Sequence, residues 1–150
     1  MKHHDYNAVI TVNKKAEDVF KKATAIATWW TENTEGSSQN LNDIFTVRFG
    51  ETYVTFKTIE LVPNQKIVWL VTDCLLPWLT DKREWNNTKL ILELSAKNGA
   101  TNISFTHLGL VPEIECYDGC RKGWDQYFKG SLYELLTEGK GQPALATSKV

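Results

Sequence analysis

Three side chains in the last third of the chain have types and spacing suited to chemistry: His107, Cys116 and Cys120. An imidazole changes charge near neutral pH, so His107 is the candidate general acid or base. The other histidines, His3 and His4, are adjacent; in an extended segment they point to opposite faces and make a poor metal site. Cys116 and Cys120 stand four apart, which puts both thiols on one face of a helix. With His107 they would offer zinc three soft ligands. Otherwise they are buried structural thiols, or part of a Cys–His nucleophilic pair. No carboxylate stands beside His107 at a recognisable spacing, although Glu113 and Glu115 can approach it in space. Gly-rich phosphate loops, a Ser-His-Asp order and paired-carboxylate motifs are missing from the sequence. The expectation is therefore a core histidine, with no metal and no cofactor.

The richer signal is apolar. Six tryptophans, six phenylalanines and five tyrosines in 150 residues must fill a large core or line a cavity. A ligand-binding wall is expected from Phe45, Phe49, Phe56, Trp69, Leu92, Phe105, His107, Cys120, Trp124, Tyr127 and Phe128. His107, the Tyr127 hydroxyl and the indole N–H groups would be its few polar handles. The competing expectation is a core packed solid. A second aromatic group lies in Thr72–Asn87, where Leu75, Leu76, Trp78, Leu79 and Trp85 follow no periodicity. Such a loop either covers the cavity as a lid or offers a surface to a protein partner or a second copy of the chain.

Positioning these groups requires a sheet and a covering helix. Ala8, Ile10 and Val12 alternate as in a strand. Ala16, Val19, Phe20 and Ala23 predict a short helix, and Thr24 to Trp30 a second. Thr31 to Asp43 is a polar loop with room for a short edge strand. Alternation then predicts strands around Phe45–Phe49, Tyr53–Leu61, Ile67–Val71, Leu90–Leu94 and Ile103–His107, with a bulge near Lys57-Thr58. Turns fall at Gly50-Glu51, Pro63-Asn64 and Asn98-Gly99, the last a strong hairpin signal. From Tyr117, the residues Cys120, Trp124, Tyr127, Phe128, Ser131, Leu132, Leu135 and Leu136 recur at three- and four-residue steps, the stripe of a long helix. Gly139 suits its end; Gly119 and Gly123 are costly inside it, so its start falls between Glu113 and Gly123. The expected fold class is α+β: a curved antiparallel sheet of about six strands, two short helices after the first, and a long C-terminal helix across the concave face. The chain beyond Gly139 reads as unstructured; the domain spans 1–143, with 144–150 a flexible tail.

Charge is balanced, 17 Lys+Arg against 18 Asp+Glu, which gives no argument for nucleic acid or an anionic membrane. Lys14-Lys15, Lys21-Lys22 and Lys82-Arg83 are interleaved with acids and read as a solvated face. No apolar run approaches a membrane span, and residues 1–15 hold no signal-peptide core. Three cysteines, an odd and sparse count, favour a reducing cytoplasm.

The order of elements resembles the START-like (SRPBCC, Bet v 1-like) helix-grip superfamily. Within it, the chain is similar to bacterial proteins related to the C-terminal domain of the heat-shock protein 90 ATPase activator. The residues that carry the resemblance are Val19-Phe20, Trp29-Trp30, Ile67-Val68-Trp69, Lys97 to Thr101, Thr106 to Leu110, Gly123-Trp124, Tyr127, Leu132, Leu135 and Glu138 to Gly141. It covers about residues 7 to 143. The resemblance implies binding of a small hydrophobic or aromatic molecule without catalysis. It also admits a chaperone- or stress-related interaction module, and an enzyme of cyclase or hydrolase type with His107 as acid–base. The eukaryotic co-chaperone's separate N-terminal domain has no counterpart in these 150 residues, so its activity does not transfer with the family name.

Overall fold

The structure, a computed structural model, describes residues 5–143. His3, His4 and the expected tail 144–150 lie outside the described residues. Seven strands form one antiparallel sheet in the order β1-β7-β6-β5-β4-β3-β2. They are β1 (Tyr6–Val12), β2 (Thr34–Gly36), β3 (Ile44–Phe49), β4 (Thr52–Val62), β5 (Lys66–Leu75), β6 (Lys89–Lys97) and β7 (Ala100–Leu108). Hairpins join β3 through β7 in sequence, and β1 closes beside β7 with Ala8 opposite Phe105. Inward positions alternate as the period-two pattern requires: Phe45 and Val47, Ile67 and Trp69, Leu90 and Leu92, Ile103 and Phe105.

Three expectations are corrected. The sheet has seven strands rather than about six, because the short edge strand for which Thr31 to Asp43 left room is present as Thr34–Gly36, paired with β3. The second helix is a single 3₁₀ turn, Ile26–Thr28, after helix α1 (Ala16–Ala23); too few residues separate α1 from Trp29-Trp30 for a longer one. β5 does not stop at Val71 but continues to Leu75, where Val54 pairs with Cys74 and Tyr53 with Leu75. The β4–β5 register shifts at Thr55/Phe56 and again at Thr58/Glu60, so the expected bulge is present and doubled.

The C-terminal helix runs through three continuous segments: α2 (Tyr117–Trp124), a π-helical stretch (Asp125–Leu132) and α3 (Tyr133–Glu138). Cys116, Cys120, Trp124, Phe128, Leu132 and Leu136 recur every four residues and all are buried. A four-residue step overshoots a turn of α-helix by about 40° and undershoots a π turn of about 4.4 residues by about 30°. Alternating the two windings cancels the drift, so one stripe faces the sheet for the whole length. Tyr6 of β1 donates to Asp125 at 2.7 Å and ties the sheet edge to the π stretch. Burial and that carboxylate together raise the Tyr6 phenol well above its ordinary pKa.

Gly139 ends the helix at φ 86°, left-handed as expected. The next residues are not loose: the backbone N–H of Gln142 donates to Ser131 Oγ at 2.7 Å, and Ser131 Oγ donates to the Trp29 carbonyl at 2.6 Å. That corrects the expectation of an unstructured chain directly after Gly139.

Candidate functional site

Between one end of the sheet and α2 lies a cavity of about 390 Å³. Four parts of the chain wall it. Trp30 comes from the segment after the 3₁₀ turn, and Phe49, Thr52 and Val54 from the β3–β4 hairpin. Leu76, Trp78 and Trp85 come from the β5–β6 connection, and Gly119, Cys120, Gly123, Trp124 and Tyr127 from the C-terminal helix. None of these side chains is charged. Burial raises the pKa of the Tyr127 phenol, so it too stays neutral at physiological pH.

The aromatic walls form a connected set. Trp124 lies 4.8 Å from Trp30, 4.6 Å from Phe105 and 5.9 Å from Trp85, the last nearly parallel at 20°. Tyr127 meets Phe49 at 6.1 Å. Such tilted and offset pairs hold ring orientations beyond what area burial alone would fix. The helix contributes a bare patch to this chamber. A Cβ added at Gly119 or Gly123 would meet nothing within 4 Å, so the two glycines supply open volume.

His107 lies beneath this chamber, fully buried, and does not line it. Trp124 Nε1, a donor only, gives its hydrogen bond to His107 Nδ1 at 3.1 Å. The imidazole proton therefore sits on Nε2 and is donated to Thr88 Oγ1 at 2.9 Å. The Thr88 hydroxyl in turn donates a hydrogen bond to the Trp85 carbonyl at 2.7 Å. Burial holds the imidazole pKa down at about 3, so the ring is neutral near pH 7. One imidazole thus fixes both Trp124 and Trp85. The turn after it needs Gly109: φ is +107°, and a Cβ there would lie 2.7 Å from Thr88 Cγ2.

Phe49, Cys120, Trp124 and Tyr127 of the expected wall do line the cavity. Phe45, Phe56, Trp69, Leu92, Phe105 and His107 lie deeper in the core, where Trp30 packs on Phe56 and Trp124 on Phe105, and Phe128 meets Phe105 from the helix one turn past Trp124. In the β5–β6 connection Leu76, Trp78 and Trp85 line the cavity, Leu79 is buried beside it, and Leu75 ends β5 half-buried. Trp30, Thr52, Val54, Gly119 and Gly123 were not foreseen. Among the described residues no group of three His, Cys, Asp or Glu side chains could hold a metal ion. The reading of Cys116 and Cys120 as separate thiols is corrected: they are joined in a disulfide, and Cys74 is free and buried. Spacing placed them on one face but could not say whether they were bonded.

Besides Thr88, two side chains tether the connection that borders the cavity. Arg83 donates to Asp73 Oδ1 and the Cys74 carbonyl, both at 2.6 Å, and to the Tyr53 hydroxyl at 3.1 Å. Glu115 accepts from the Thr80 backbone N–H at 2.9 Å. The Arg83–Asp73 pair is half-exposed, so such a tether fixes direction more than it adds stability. Trp78, two residues before Thr80, is 59% exposed.

The profile of the family described as "Activator of Hsp90 ATPase homolog 1-like protein" matches residues 15–137. Among solved structures, the Aha1 dimer from Colwellia psychrerythraea superposes with a TM-score of 0.75 at 22% identity, covering 91% of this chain and 98% of that one. Protein SSP2350 from Staphylococcus saprophyticus gives 0.67 at 15% identity, over 93% and 98% of the two chains. CalU16 from Micromonospora echinospora gives 0.64 at 11% identity, over 87% and 73%. No curated protein matches the chain. No helix among the described residues is long and apolar enough to cross a membrane.

Proposed function

The chain belongs to the Activator of Hsp90 ATPase homolog 1-like family, and from that premise we propose that it binds a small, neutral, ring-bearing molecule without transforming it. The observation that supports this most is the uncharged aromatic cavity of about 390 Å³, lined by Trp30, Trp78, Trp85, Trp124 and Tyr127 among others. Its volume falls within the roughly 300–1,000 Å³ of drug-sized sites. A charged guest would leave its hydration for walls that offer no counter-charge, which disfavours it strongly. His107, engaged at both ring nitrogens and held away from the cavity, serves in this reading as a positioning residue for Trp124 rather than as an acid or base. A cytoplasmic setting, expected from the cysteine count, is part of the same proposal.

The test is native mass spectrometry of purified protein for co-purified small molecules, followed by titration with the neutral fluorophore N-phenyl-1-naphthylamine. Saturable binding is expected. At a hundredfold excess over Kd it should stabilise the fold by about 2.7 kcal/mol. An absence of saturable binding and of any thermal shift across an apolar ligand library would remove the proposal.

A second reading rests on the exposure of Trp78 and on the description of the Colwellia relative as a dimer. Here the β5–β6 connection docks a second copy of the chain. Trp78→Ala then converts dimer to monomer in analytical ultracentrifugation while the probe still binds. In the lid reading the same substitution leaves the sedimentation unchanged and speeds probe release.

A further inference from the structure

Cys120 is the wall residue capable of redox chemistry, and it is bonded to Cys116. The two Cα atoms are 5.5 Å apart, within the range a disulfide spans. Their surroundings differ. Cys116, 2% exposed, is packed in the core; Cys120, 9% exposed, opens onto the cavity between Gly119 and Gly123. A small thiol entering the cavity therefore meets one sulfur of the bond. Cys74 is fully buried, and burial raises its thiol pKa, so it stays out of such exchange.

We propose that Cys116–Cys120 is a thiol–disulfide exchange site whose redox state sets the affinity of the cavity. It rests on the reading of that cavity as the ligand site. In reduction, the thiolate of a low-molecular-weight thiol attacks Cys120 Sγ. The Cys116–Cys120 bond breaks, Cys116 leaves as a thiolate and is protonated, and a mixed disulfide remains on Cys120. A second small thiolate attacks the outer sulfur of that mixed disulfide. It releases a small-molecule disulfide and frees Cys120, which takes the second proton. Two electrons pass from two thiols to the protein, and the reverse exchange with a small-molecule disulfide restores the bond.

The consequence for binding is steric. A disulfide holds its sulfurs at about 2.05 Å, whereas unbonded atoms of this size part to roughly 3.5 Å or more. Cys116 has packed neighbours on its side and Cys120 has open volume on its own, so reduction moves the Cys120 sulfur into space a guest occupies. It also removes the covalent clamp on the first turn of α2, which carries Gly119. The bonded form is the better binder, and by reciprocity a bound guest favours the bond by the same factor. Disulfides in reducing compartments are typically of this transient, sensing kind.

The full chain with Cys74→Ser, equilibrated in oxidising and reducing thiol/disulfide buffers, tests this directly. Thiol titration should find none and then two reactive thiols. N-Phenyl-1-naphthylamine should bind the oxidised form at least about fivefold tighter, the lower end of ordinary couplings between sites. Cys116→Ser should bind like the reduced form in both buffers. Equal affinities in the two buffers, or two free thiols in both, would overturn the proposal while leaving the cavity reading intact. Failure of the probe to bind any form would remove the cavity reading and this inference together.

Discussion

Gly123→Leu is expected to weaken binding of a neutral aromatic probe by about 100-fold or more, a loss of about 2.7 kcal/mol, with no loss of thermal stability. The two effects part because of where Gly123 sits. A Cβ there meets nothing within 4 Å and the residue lines the cavity, so a leucine side chain enters the guest's space rather than the core. Gly123 also lies inside α2, where glycine is worse than leucine by roughly 0.5–1 kcal/mol. The variant should therefore unfold at the same temperature or a few degrees higher. Fluorescence titration reads the first effect and calorimetry the second. Unchanged affinity would place the guest elsewhere. A drop in unfolding temperature would mean that the bare patch serves packing, and that the cavity is incidental.

The second large effect is on acid stability. His107 binds a proton at about pH 3 in the folded chain, because burial disfavours the charged ring. Unfolded, it binds one at about 6.5. A folded pKa below the unfolded one means that this contribution is complete above pH 6.5 and is lost as pH falls toward 3. The loss approaches about 1.4 kcal/mol per pH unit, up to about 5 kcal/mol in all. Against a domain stability of about 5–15 kcal/mol, that alone can unfold the chain. Urea unfolding of wild type and His107→Gln at pH 7, 5 and 4 isolates the effect, since exposed carboxylates cancel in the difference. At pH 7 the variant should be weaker by about 1–3 kcal/mol, from disturbed hydrogen bonds to Trp124 and Thr88. By pH 4 the gap should close or reverse. A constant gap across the range would mean that His107 is not the group protonated on unfolding.

Much of the fold was legible because the strands advertise themselves by alternation and the turns by Asn and Gly. Asn98-Gly99 and the Leu90-Leu92-Leu94 run left little choice of register. Alternation failed where a strand outran its apolar pattern, as β5 does beyond Val71, since backbone pairing with β4 holds Asp73 and Cys74 in place without help from their own periodicity. The site was legible in kind and not in depth. Period-two patterning says that Phe56 and Trp69 point inward; it cannot say that Trp30 lies over Phe56. Trp124 and Tyr127 were found because they are large, whereas Gly119 and Gly123 were read as costs to a helix, and Gly123 as part of the resemblance, but neither as open space. Absent side chains leave no hydrophobic signal, and the open volume of this cavity is made partly of them.

The mixed winding of the C-terminal helix carries a constraint on evolution. Substitution within 125–132 changes individual contacts, but losing one residue with the winding kept shifts the register of all that follows. Everything downstream then turns by about 80°, the step of one residue in a π turn. Leu135 and Leu136 would swing away from the sheet, and Ser131 would no longer meet both Trp29 and Gln142. The fold thus tolerates a change at an exposed residue of that span, such as Gln126 or Lys129, more readily than a change in its length.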